Sequence, residues 1–291
     1  MASAFHASLG RSTTVALIVL PIAIPVAYLV CLNRAIRKST TSIARRRDQP
    51  PSLSPESSHQ PRDPASLPAD VKSDSSQWVV AYERVVSNPI STSSLAFAVA
   101  EPSTLSHSSP DGSSTTQPST LLREYIRAAQ VAFSWTPQAV LIRAMIKEAD
   151  IRRSFDGAWI DGLTFAPGEL VNGVYRVSHH QNESSTMSER AELIMEVPAS
   201  FKGPSVRGLL VAAIEPAPAA DSQRSNSQRA DETDEGGKVV FVNETWMWRR
   251  TEEKPTLLET PFGKWFHTQL AGWLIMKGIS AVVGVGKQKT H

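Results

Sequence analysis

Hydrophobic residues recur along this chain with two periods, and the change between them near Asp156 organises it. Upstream, LLREYIRAAQVAF places Leu122, Tyr125, Ile126, Ala129 and Phe133 at helical spacing, with Thr120 as a cap. Thr136-Pro137 then supplies a cap and a first-turn proline. Val140, Leu141, Ala144 and Met145 share one face of a second helix that runs to Arg153. Downstream the period falls to two. AWIDGLTF, ELVNGVYRV, ERAELIMEV, VRGLLVAAIE and KVVFVNETWMW read as about five short-linked, and therefore antiparallel, strands. WVVAYERVVSNPI, Trp78 to Ile90, adds a strand ahead of the helices. On the last strand Trp246 and Trp248 face one way, Met247 and Arg249 the other. Thr260-Pro261 opens a long closing helix, on which Phe262, Trp265, Gln269 and Trp273 form the stripe expected to meet the sheet. His267 falls beside Lys264, at the border of the exposed side.

Residues 13–32, TTVALIVLPIAIPVAYLVCL, contain no charged side chain. A helix of that length spans about 30 Å, the thickness of a bilayer's hydrocarbon core. Arg34, Arg37, Lys38, Arg45, Arg46 and Arg47 follow it, and only Arg11 precedes it. That asymmetry favours a retained anchor over a cleaved signal peptide. It also places the tail of residues 1–12 in the lumen and the remainder in the cytosol. The sequons at Asn182 and Asn243 point the other way if they carry glycans, and the charge rule is preferred over them. Residues 33–77 read as a basic flank followed by a flexible tether rich in Pro, Ser, Asp and Gln. The domain proper spans residues 78–291, with low-complexity insertions at 101–119 and 216–237. The expected class is α+β: an amino-terminal transmembrane helix, an antiparallel sheet with two preceding helices, and a long carboxy-terminal helix.

Composition narrows the chemistry. The chain has 291 residues, 41% of them apolar and 20% charged, which suits one sizeable globular domain with loose flanks. Thirty Lys+Arg against 28 Asp+Glu leave a net charge of +2, so nothing marks a nucleic-acid surface. The lone cysteine, Cys31, excludes an intramolecular disulfide and a cysteine zinc site. His179-His180 sit in a turn-like stretch and make a poor chelate, which reads as a solvated loop. Glu192 and Glu196 share a strand face about 13 Å apart, too far for a carboxylate dyad, and read as a solvent face. GVGK at Gly284 to Lys287 lacks the first glycine and the Ser/Thr of a phosphate loop. No cofactor or metal is expected. His267 is the candidate acid–base residue. Trp246, Trp248, Trp265, Phe266 and Trp273 are the densest aromatic set and the candidates for lining a ligand cavity.

The order strand, two helices, antiparallel strands, closing helix resembles the helix-grip arrangement of START-like lipid-transfer proteins and aromatic polyketide cyclases. The resemblance covers Trp78 to Val283 and rests on element order. It implies a curved sheet gripping the last helix around an apolar cavity. A hotdog-type sheet is the alternative, and it would place its main helix before the strands. FVNETWMWRR and TPFGKWFHTQLAGWL resemble segments of single-pass membrane proteins that accompany secondary-metabolite pathways in filamentous fungi. Together these features lead to a membrane-anchored domain that binds or acts on an apolar small molecule, a lipid or secondary metabolite. The alternative is a tethered scaffold that recruits partner proteins.

Overall fold

The computed structural model describes residues 29–46, 62–99, 117–183, 187–203, 206–218 and 237–284. The chain divides into two compact units between Ser39 and Thr40. In the first, residues 29–39 are helical. The second is α+β, built on one antiparallel sheet of eight strands. Along the sheet the order is β1 (Thr40–Arg46), β2 (Trp78–Ser87), β8 (Lys238–Arg250), β7 (Arg207–Pro216), β6 (Ser188–Met195), β5 (Tyr175–Glu183) and β4 (Leu170–Val171). The short β3 (Ile90–Ser91) continues the β2 side and pairs with β8.

One face of the sheet carries the helices. α2 (Thr120–Ser134) starts where the Ser119 hydroxyl accepts from the Leu122 amide at 3.2 Å. α3 (Pro137–Met145) and α6 (Pro261–Val282) both begin with a threonine cap followed by proline. α2 and α6 cross the sheet side by side in opposite directions. The strand registers show this. Ser119 bonds Glu189, which lies in a row with Ile214 and Phe241, and Phe133 at the other end of α2 meets Tyr175. α6 runs from His267 beside Thr245 to Gly278 against Tyr125, whose ring packs on Phe241. The carboxy-terminal end of α2, α3 and the first turns of α6 therefore share one end of the domain.

Part of the opposite face is covered by a strap, residues 62–76, containing the short α1 (Ala69–Ser73). Leu67 and Val71 are buried there on Tyr82, Leu209, Val211, Trp246 and Trp248. The Glu192 carboxylate holds the strap by accepting the amides of Ala65 at 2.9 Å and Ser66 at 2.7 Å.

Several expectations change. The tether of 33–77 is structured in part: Thr40–Arg46 forms β1, and 62–76 is the strap. AWIDGLTF is not a strand; Gly157–Asp161 forms the helical turn α5. The second predicted helix breaks at Ile146, whose side chain is buried, into α3 and α4 (Ala149–Arg153). ELVNGVYRV is two strands, because Asn172 and Gly173 take positive φ of 48° and 72° and reverse the chain. Glu192, expected at a solvent face, is 1% exposed beneath the strap. No helix among the described residues is long and apolar enough to cross a membrane. Of the expected span 13–32, only residues 29–32 fall within the described part. Most of the insertions at 101–119 and 216–237 lie outside it.

The inner side of α6 is made of small residues. Gly263, Ala271, Gly272 and Gly278 are buried together with Ile275 and Val282. A Cβ at Gly278 would sit 2.4 Å from the Tyr125 ring and 3.0 Å from its carbonyl oxygen. Gly278→Ala should therefore destabilise the fold by about 1–3 kcal/mol despite alanine's better helix propensity. Gly157→Ala, with nothing within 4 Å of the added methyl, should be neutral or slightly stabilising. Urea denaturation of the two variants checks the contrast.

Candidate functional site in the cleft beneath α6

Glu83 on β2 and Thr245 on β8 are direct cross-strand partners, and both turn towards α6. His267 reaches down between them. Its Nδ1 bonds the Glu83 carboxylate, and its Nε2 lies 3.3 Å from the Thr245 hydroxyl. The other Glu83 oxygen accepts from the Thr268 hydroxyl. Glu83 is 1% exposed, so a carboxylate removed from water is held entirely by two consecutive residues of α6. Two strand positions further on, Asn243 Oδ1 accepts the Tyr125 hydroxyl at 2.8 Å.

These groups form the polar floor of a cleft between α2, α6 and the sheet. Phe133, Leu193, Leu210, Leu270 and Leu274 supply apolar walls, and Gln138 of α3 borders the end nearest His267. The enclosed space is about 70 Å³, within a cleft whose free volume, including its solvent-open part, is about 650 Å³. Chemically this is an imidazole oriented by a carboxylate through one nitrogen, with the other turned to a hydroxyl at a cleft. That is the layout of an acid–base residue with its orienting partner. Burial pushes the Tyr125 phenol well above its ordinary value and raises Tyr175 to about 12.

The structure places the sequence-derived candidates differently from expectation. Trp246 and Trp248 lie on the strap side of the sheet, so the sheet separates them from the cleft. The Tyr82 ring packs tilted against Trp246 with centroids 4.4 Å apart, and the Trp246 indole donates to Glu244 at 3.3 Å. Trp265 and Phe266 point outward, 45% and 37% exposed. Trp273 is half-buried, with the Lys277 ammonium 5.8 Å from its ring. None of the five lines the cleft. The helix is thus rotated from the expected pose: His267 faces the sheet and Trp265 faces away. Small inner residues let the α6 backbone sit close, which leaves the large aromatic rings outside.

His180 is not in a loop. A register shift between Val177 and His179 breaks the alternation of β5 and turns His180 inward. There its Nε2 lies 2.8 Å from Glu189, which also accepts the Ser119 amide and hydroxyl at the start of α2. This is a structural cap. Asn182 lies half-buried on β5, and Asn243 is turned into the cleft. Glu196 is exposed and paired with Arg176. Among the described residues no cluster of histidine, cysteine and carboxylate groups is arranged to hold a metal ion.

Glu83, Thr245, Asn243 and Tyr125 escaped the sequence reading. The signal for two of them was the polar triplet Asn243-Glu244-Thr245 inside an otherwise apolar strand. Alternation sends Asn243 and Thr245 to the helix side and Glu244 to the other, where Arg84 and Tyr82 bind it.

Comparison of the chain with protein-family models, curated proteins and solved structures gives no match. The site is therefore read from its own geometry.

His267→Ala leaves the buried Glu83 with one side-chain partner and should cost about 1–3 kcal/mol. Trp265→Ala should cost no more than about 1 kcal/mol. Urea denaturation of both variants tests the orientation of α6. A second test uses the phenols. Their folded values lie above the ordinary value of about 10, so their contribution to stability is complete below that value and is lost as pH rises through the folded values. Absorbance at alkaline pH should show Tyr125 and Tyr175 ionising together with the loss of near-ultraviolet circular dichroism, not before it.

Proposed function

We propose that the domain binds an apolar small molecule carrying one hydroxyl, enol or carbonyl group in the cleft beneath α6, with His267 exchanging a proton with that group. The observation that carries the reading is the Glu83–His267–Thr245 chain at the floor of an otherwise apolar cleft. Such a floor is costly to bury without a task, because every member must be satisfied and oriented. The reading keeps the helix-grip resemblance as a proposal, and α6 packed on an antiparallel sheet fits the element order on which that resemblance rests. Supply of the ligand from a membrane rests on the sequence alone, through the uncharged run 13–32 and the basic residues after it.

One observation favours the scaffold alternative. The enclosed 70 Å³ is well below the ~300 Å³ at which ligand pockets begin. Filling the cleft separates the two readings. Ala271 lies on its α6 wall, and Ala271→Leu should abolish co-purification of any small molecule extracted from the full-length protein and seen by mass spectrometry. Wild-type protein that yields no bound molecule, or the same molecules as Ala271→Leu, supports the scaffold. If a ligand is recovered, His267→Gln should keep it bound while losing any conversion of it.

A further inference from the structure

We propose that the end of the domain formed by α3 and the first turns of α6 is a docking surface for a bilayer containing anionic lipid. The exposed apolar side chains concentrate there. On the α3 side Trp135, Val140 and Leu141 are 81%, 59% and 61% exposed, and on α6 Phe262 is 73% exposed beside Trp265 and Phe266. The Phe262 ring lies 5.9 Å from Trp265 and 6.4 Å from Phe266, a projecting aromatic ridge rather than a groove. Gln138 of α3 and His267 and Leu270 of α6 all line the cleft, so both exposed sets stand on helices that border it.

Charge selects the occupant. Arg143, Arg152 and Arg153 line a shallow hollow with Val140, Ala144 and Ala149, and Lys264 is exposed on the first turn of α6. Of the acidic residues in the segment, Asp156 is paired with Arg143 at 2.9 Å and Glu148 accepts from the Ser200 hydroxyl, which leaves Arg152 and Arg153 as the cations on offer in the hollow. Exposed rings and basic side chains at one end of the domain match the headgroup region of a membrane, where aromatic groups and basic side chains are both favoured. The same chain carries an uncharged run of twenty residues at 13–32, which would bring a bilayer within reach.

Docking in this orientation would face the cleft towards lipid, and only that consequence rests on the cleft being a ligand site. The test uses the full chain with Cys31, its single cysteine, replaced (Cys31→Ser). Single variants Phe262→Cys, Val140→Cys and Asp70→Cys carry an environment-sensitive fluorophore in vesicles of phosphatidylcholine and phosphatidylserine. Asp70 is on the strap side of the sheet and serves as the reference. The expected result is a blue shift and several-fold stronger quenching by brominated lipid at positions 262 and 140 than at 70, weakened when phosphatidylserine is omitted. Equal quenching at all three positions overturns the proposal. So does a blue shift at 262 and 140 that persists without lipid contact and falls on dilution, which marks self-association. The fluorophore reports lipid contact and not cleft occupancy. Quenched probes over an empty cleft would fail the ligand reading alone, and unquenched probes over a filled cleft would fail docking alone.

Discussion

Strand β8 is buried on both of its faces, and the rest of the domain is arranged to make that possible. Over thirteen residues it sends Val239, Phe241, Asn243, Thr245 and Met247 to one side and Val240, Val242, Glu244, Trp246 and Trp248 to the other. A strand with indoles on one face and cleft-lining groups on the other cannot sit in a sheet open to water on either side. Helices α2 and α6 answer one face, and the strap answers the second around Trp246 and Trp248. The strap has little intrinsic structure beyond α1, so its attachment depends on the Glu192 carboxylate and on Leu67 and Val71.

Burial on both sides also explains the polar pattern of the interior. Among the described residues four glutamates of the sheet are buried, Glu83 and Glu189 on the helix side and Glu192 and Glu244 on the strap side, and Glu83 and Glu244 form contrasting centres. On the helix side Glu83 is matched by His267 and Thr268. On the strap side Glu244 is matched by Arg84 at 2.5 Å and Tyr82 at 3.1 Å, with Arg84 also bound to Glu215 at 2.6 Å. The second centre has a permanent cation and reads as structural. The first has only a titratable imidazole and hydroxyls, and it opens on a cleft. Glu189 likewise takes an imidazole and a hydroxyl, from His180 and Ser119, so what marks the Glu83–His267 pair as the candidate reactive group is that His267 lines the cleft.

The elements were legible where periodicity was long and unbroken. α2, β6, β7, β8 and α6 follow from spacing and caps alone, as does the split of Trp246 and Trp248 from Met247. Legibility failed where one local residue overrode the period: the Asn172-Gly173 reversal, the irregularity before His179, and the break at Ile146. The strap was missed because its composition is that of a tether. Its order comes from the Glu192 carboxylate and from the burial of Leu67 and Val71 on distant strands, which no local window contains. The pose of α6 was misjudged for a different reason. Large aromatic residues were assigned to the core by size, whereas here glycine and alanine mark the buried side because they permit close approach. Glu83 and His267, 184 residues apart, meet only through tertiary structure.

The small inner residues of α6 have a geometric consequence. Gly278 lets α6 lie against Tyr125 of α2, and on the cleft itself Ala271 projects little while Leu270 and Leu274 form its walls, so the space beneath the helix depends on the stand-off of the α6 backbone as well as on those side chains. Half of this helix covers a strip roughly 16 Å long and 10 Å wide. Lifting that half by about 1.5 Å would open on the order of 200 Å³, several times the space now enclosed. The volume of the cleft is thus a steep function of a very small rigid-body movement.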